Sequence, residues 1–529
     1  MEKEFYIRKA SGLTREISPL ETWFYTMGPI SIGATVAAVY VWVSFAYPGA
    51  DMVQALLISA VPALLFAVMY WCFTISMPRS GGDYVFCSRV IHPAAGFVTN
   101  FVWSAMWLFD LGMLSNLLSV YFISDALATY GHVSGNESLL GYATWAASPV
   151  GGFVVGTVAL IFTCLVLIAG SKIAVRVIAA CVIVGLLGVF IAIGAFAFSS
   201  NQAFISAFNR VATGGATYNS VIETAKGLGA TIVAPSLAAS IACLPYVYNF
   251  FLGHIFASYV AGEIREIKKS IPLAMIGGSL TMMAIIIVSL YAYFGSVGYE
   301  FNSAIAYLFY MSPDKYPLPS PPEFQYFAAL LVPQPLAVII AFSFIPWGIA
   351  LIVPVFMMIS RNIFAWSFDR IVPTKLSEIH PRFKTPALLT VVLGIIGEIT
   401  LAMFCFKPEL YFVFINILLG GIYSGAIIPA LAGILFPLRR KDIYEKSPIA
   451  KWKIGPIPVI SLAGLVSFVW FPYIVYLSFA SISPENLPSS IAALAGIWIL
   501  GLVAYYAARA YWKPKGIDLD LLYKEIPPE

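Results

Sequence analysis

Of the ionisable side chains inside long apolar runs, three could do chemistry. Asp110 lies in Trp103-Ser104-Ala105-Met106-Trp107-Leu108-Phe109-Asp110-Leu111-Gly112. A carboxylate among such neighbours is costly, so it marks a pocket or an ion path unless it pairs with a neighbouring helix. His254 follows Phe250-Phe251-Leu252-Gly253. An unperturbed imidazole titrates near neutral pH, so His254 is either a proton carrier or a hydrogen-bonded packing residue. Glu398, in Gly394-Ile395-Ile396-Gly397-Glu398, reads as a structural or interface carboxylate. The main chain offers a second kind of chemistry. In Met27-Gly28-Pro29-Ile30-Ser31-Ile32-Gly33-Ala34, Pro29 removes a donor and the glycines loosen the backbone. Inside lipid, bared N–H and C=O groups persist only where protein or a water-filled cavity receives them. Such a break is therefore a candidate binding element, the alternative being a simple kink.

The elements that position these residues follow from composition. Of 529 residues, 60% are hydrophobic and 11% charged, against about 25% charged in soluble domains. The apolar runs are continuous rather than alternating, which excludes a β-barrel and predicts an all-α integral membrane protein in a lipid bilayer. The net charge of +4 does not suggest nucleic acid. The six cysteines are scattered, with no CxxC or Cys/His spacing. They read as buried small hydrophobes, with neither a disulfide framework nor a metal site.

Twelve apolar spans are predicted: 20–47, 54–77, 97–130, 151–170, 174–199, 232–262, 272–297, 335–366, 385–406, 409–437, 455–480 and 488–511. With both termini in the cytoplasm, the outer segments hold only Arg210, Lys226, Lys315 and Lys407 of the 30 Lys and Arg. That asymmetry fixes the orientation. The polar N-terminus lacks a signal-peptide core, so the first span doubles as the insertion signal. The long outer connection 298–334 joins an amphipathic piece (Phe301 to Met311) to a proline-rich stretch, and is a candidate lid.

A second break falls in span six, at Cys243-Leu244-Pro245-Tyr246-Val247-Tyr248-Asn249, followed by Gly253 and His254. Spans one and six are five crossings apart, so they run in opposite directions. That is the pattern of an inverted repeat, common in secondary transporters. The predicted organisation is a cytoplasmic segment 1–19 and a first five-helix repeat 20–199. An extracellular connection 200–231 leads to the inverted second repeat 232–437. A cytoplasmic loop 438–454, two extra helices 455–511 and a cytoplasmic tail 512–529 complete it.

At this point the chain resembles the amino acid–polyamine–organocation superfamily of permeases. Pro78-Arg79-Ser80-Gly81-Gly82-Asp83-Tyr84 is similar to that family's loop after span two, and Gly96-Phe97 opens span three. Ala261-Gly262-Glu263 through Ile271-Pro272 is similar to the stretch after span six. Arg361-Asn362-Ile363-Phe364-Ala365, Asp369-Arg370-Ile371-Val372-Pro373 and Lys384-Thr385-Pro386 resemble the loop after span eight. The resemblance implies two inverted five-helix repeats and transport by alternating access. It also implies that an amino acid's carboxylate sits on span-one amides and its amine on span-six carbonyls. A helix N-terminus after Gly33 suits the anion, and freed carbonyls before Gly253 suit the ammonium. The family's Gly-(Ser/Thr)-Gly run reads Ser31-Ile32-Gly33 here, and its span-six glutamate is Ile255. Asn249 stands where relatives carry a bulky gate residue. Gly185 stands where some carry a coupling lysine.

The expected substrate site is Pro29, Ile30, Ser31, Ile32, Gly33, Ala34, Asp110, Asn249, Leu252 and Gly253. Coupling or gating candidates are Asp110, His254, Phe250 and Ser343, the last as a sodium-binding hydroxyl. The aromatics Trp107, Tyr246, Tyr248, Phe250, Phe251 and Trp347 could gate the pocket. The expected activity is secondary transport of an amino acid or related amine across the plasma membrane, either exchanging or coupled to an ion, a proton or sodium. The alternatives are a polyamine or organic-cation carrier and a non-transporting receptor or assembly subunit. No nucleophile–base set or phosphate loop occurs, so no enzyme, catalytic residue, cofactor or metal is expected.

Overall fold

A computed structural model describes residues 12–30, 32–34, 39–517, 519 and 523, without the side chains of 34, 410–413 and 415. Among them, ten helices are long and apolar enough to cross a membrane, from Met52–Ser76 to Leu487–Lys515. They fall on ten of the twelve predicted spans. The other two spans, one and six, hold shorter helical pieces and are taken up with the site.

Local chemistry sets the helix ends. Asp51 caps span two (Met52–Ser76), its Oδ1 accepting from the amides of Val53 (2.9 Å) and Gln54 (3.1 Å). His92 Nδ1 does the same for span three through Ala94 N at 3.1 Å, with Pro93 at the first helical position. Span three runs on through a π-turn at Leu118–Ile123 to Ser134, 42 residues in all. At 1.5 Å per residue that is about 63 Å, twice the hydrocarbon thickness. It is therefore too long to lie wholly within the lipid.

Small residues set the crossings. A Cβ on Gly112 of span three would lie 2.4 Å from the Thr400 carbonyl carbon of span nine (Ala387–Phe406). Close backbone approach of this kind holds membrane helices together where burial gives little driving force. Ile161, Leu187, Phe190, Val469 and Ile499, on spans four, five, eleven and twelve, are exposed large apolar side chains, as lipid contact requires. All six cysteines are free thiols.

The connections carry structure. Segment 200–231 contains helices Asn201–Val211 and Tyr218–Gly227. Connection 298–334 contains helix Tyr299–Met311, which covers the predicted amphipathic piece, and then Phe324–Ala329. Loop 438–454 leads into an antiparallel hairpin of Lys453–Ile454 and Ile457–Pro458.

Candidate functional site

The described parts of span one are helix Pro19–Ile30, which contains Pro29, and helices Ile32–Ala34 and Tyr40–Ala46. Pro29 deprives the Tyr25 carbonyl of its donor. The predicted break at Ser31, residues 35–38 and the side chain of Ala34 lie outside the described residues. Pro29, Ile30, Ile32 and Gly33 are buried.

Span six behaves differently from the expectation of carbonyls freed before Gly253. It is interrupted at Cys243, between Leu237–Ala242 and Leu244–Tyr248. Pro245 is the cause, and Tyr423 of span ten donates its hydroxyl to the Pro245 carbonyl at 2.5 Å. From Asn249 to Glu263 the chain tightens into a 3₁₀-helix, leaving helical angles inside it only at Val260. No proline falls in this stretch, so each residue keeps its donor and i→i+3 bonds engage the main chain. The winding narrows at Gly253 rather than opening.

The two crossings meet there. A Cβ on Gly253 would sit 2.8 Å from the Ile30 amide nitrogen and 2.9 Å from Pro29 Cβ. Span eight closes on the same point. A Cβ on Gly33 would lie 2.4 Å from Trp347 Cδ1, and one on Gly185 of span five 2.4 Å from Trp347 Nε1. Trp347 is fully buried, and its indole N–H has no hydrogen-bond partner. Pro354 frees the Ala350 carbonyl, and Gly28 presents its Cα to that oxygen, where a Cβ would come within 2.5 Å.

Asp110 approaches this junction from span three. It is seven residues from Trp103 and so shares its helix face. Trp103 stacks on Tyr259 (6.1 Å) and Trp107 meets Phe256 edge-on (5.6 Å), an antiparallel register along span six. Continued at the rises of the two helices, that register brings Asp110 level with Gly253 and His254. Asp110 is buried, and its Oδ1 accepts no hydrogen bond.

The remaining candidates separate. Phe250 and Leu252 are buried, whereas Asn249 is exposed although both its neighbours are enclosed. His254 turns toward span two, its ring 5.8 Å from Phe66. The backbone of Phe251, Ala63 and Leu252 lies nearby, yet neither ring nitrogen makes a well-formed hydrogen bond. Ser343 donates to the Ile340 carbonyl (2.9 Å), and its oxygen abuts Gly188 of span five. Glu398 accepts from Thr157 of span four at 2.9 Å, an interface contact away from the junction.

About 20 Å from Gly253 along span six, at 3₁₀ rise, one side of the protein is sealed. Glu263 receives Arg361 Nε at 2.6 Å and Nη2 at 3.2 Å, with both side chains 3% exposed. Arg361 also donates to Ser171 Oγ at 2.8 Å. The Glu263 carbonyl accepts from the Glu16 and Ile17 amides, and Ile17 bridges Ile264 in parallel. Arg361 and Glu263 stood in two recognised motifs, but nothing in the sequence joined them. Trp347 was a gating candidate whose glycine slot had no sequence signal.

Helices of this length and apolarity are those of a multi-pass membrane protein. The amino acid permease family matches residues 17–504, so the chain belongs to that family, within the amino acid–polyamine–organocation superfamily. No curated protein matches the chain.

Proposed function

We propose that this permease is a secondary transporter for an amino acid or related amine, working by alternating access. The observation that carries the reading is the seating of Gly253 on Pro29 and Ile30. It brings spans one and six to one point, where span-one amides and the side chains around span six could reach one small solute. The solute's carboxylate would take the amides of residues 30–34 and its amine the span-six side, with Asp110 level with it. Trp347 bounds the site toward span eight. Asp110 is also the best-supported proton carrier, because its buried carboxylate has an oxygen without a donor.

The wider organisation belongs to the same proposal. Ten long helices among the described residues, with the helical pieces of spans one and six, support a count of twelve. The breaks predicted at Pro29 and Pro245 lie five crossings apart, which supports the inverted repeats and the boundaries given above. The Lys/Arg asymmetry supports cytoplasmic termini and insertion in the plasma membrane.

Counterflow of radiolabelled amino acids in proteoliposomes tests the reading. Exchange of at least one amino acid or amine is expected. No exchange, alongside retained ligand binding, would instead favour a receptor. Asp110 favours one second reading, a cationic-amine carrier, which a competition panel of arginine, putrescine and leucine separates from the first.

A further inference from the structure

The face opposite the Glu263–Arg361 seal holds a second buried acidic group, independent of the central junction. Asp125, near the far end of span three, and Glu323, in connection 298–334, are each 1% exposed. Gln325 links them. Its Nε2 donates to Asp125 Oδ2 at 2.7 Å and also to Glu323 Oε2. Ser320 donates its hydroxyl to Asp125 Oδ1, and Tyr316 holds the Ser320 carbonyl at 2.6 Å. Three carboxylate oxygens thus have donors. The fourth, Glu323 Oε1, is enclosed with none, and Gln325 Oε1 is enclosed and equally bare.

Among the described residues, no cation balances the pair. The groups facing it are tyrosines: Tyr121 on span three, Tyr293 on span seven, Tyr310 and Tyr316 on the connection, and Tyr326 beside Gln325. His132 is the nearest base, and its Nδ1 is taken up at 3.3 Å with Tyr326. The helix Gln334–Ser343 packed here has no titratable side chain, and Lys172 and Arg176 lie at the far end of span five. Two full negative charges sharing one amide in a dry site repel strongly, so one must be neutralised. A proton on Glu323 Oε1 does this and turns an orphan acceptor into a donor.

We infer that Asp125 and Glu323 form a one-proton binding site that holds connection 298–334 against span three. Burial, and then the Asp125 charge, push the Glu323 carboxyl well above the ordinary carboxylate range. The proton is therefore held to higher pH than on a free carboxylate and lost as pH rises. The same connection touches the outer half of span one, with Tyr310 5.3 Å from Trp42 and 4.9 Å from Phe45. Loss of the proton would loosen that cover too. The inference stands whether or not the central junction binds an amino acid.

Hydrogen–deuterium exchange of residues 313–330, in the full chain in nanodiscs, tests it over pH about 5 to 9, corrected for intrinsic exchange. Protection should fall about tenfold per pH unit above the titration point, the slope of one linked proton. Glu323→Gln should make protection high and flat with pH, and Asp125→Asn should do the same where the first variant misfolds. A flat wild-type profile, or a folded variant that still titrates, would overturn the inference. So would protection restored at high pH by sodium, potassium or calcium, which would make the site a metal-cation site.

Discussion

Glu263→Gln removes one charge from the seal and little volume. Both partners are 3% exposed, and Arg361 would keep only its neutral partners Ser171 and Ser360. Breaking a buried pair by deleting one partner costs about 3–5 kcal/mol. In the open form both side chains reach water and little is lost. The cost therefore falls on the closed form alone. At 1.4 kcal/mol per decade, about 3 kcal/mol moves the closed-to-open ratio by some two decades. Ser258, fully buried behind the seal, is a suitable reporter position. With the six native cysteines replaced, Ser258→Cys labelling by an impermeant maleimide from that face should speed up about 100-fold in the Glu263→Gln background. Adding Arg361→Met removes the stranded charge and should recover most of the closure, to within about tenfold of the parent. Labelling changed by less than about threefold would refute this reading. So would a double variant as open as the single one.

Other substitutions probe separate parts. Gly253→Ala puts a Cβ where only 2.8 Å is free to Ile30 N, an overpacking worth about 1–3 kcal/mol partly offset by helix propensity; counterflow should collapse while the melting temperature moves only a few degrees. Asp110→Asn should abolish preference for a cationic over a neutral amine in competition uptake, and unchanged preference would remove Asp110 from the site. Asp83, outside the spans, is pushed by burial up to about 6, against weaker opposing hydrogen bonds from Tyr259 and Asn100. Folding then retains a proton that the unfolded chain has released, so stability falls as pH rises from about 4 to 6 and stays lower above. Asp83→Asn should therefore raise the melting temperature at pH about 7 and flatten its dependence in that window, by up to about 3 kcal/mol; a melting curve unchanged from wild type at both ends would refute it.

The interruption beside Pro245 was legible because a missing donor is a property of one residue. The ten long helices were legible because apolar length is local. Partners were not. Gly33, Gly185 and Trp347 lie on three different spans, and no spacing rule joins them. Asp125 and Gln325 stand 200 residues apart, one within an apolar run and the other in a proline-rich loop. The 3₁₀ winding of Asn249–Glu263 was also hidden. Gly253 reads as a break from its type, yet its contact with Ile30 rewards a narrow helix, and that contact is tertiary.

The short parallel ladder between Ile17 and Ile264 has a mechanical consequence. It rivets the leading end of the first crossing to the trailing end of the sixth, beside the Arg265–Ile17 amide bond of 2.8 Å. Neither can slide past the other without tearing those bonds. The pair is expected to travel as a single lever, so release toward that side should happen in one cooperative stroke. Spin labels on the two segments should keep a constant separation through the cycle while both move away from span eight.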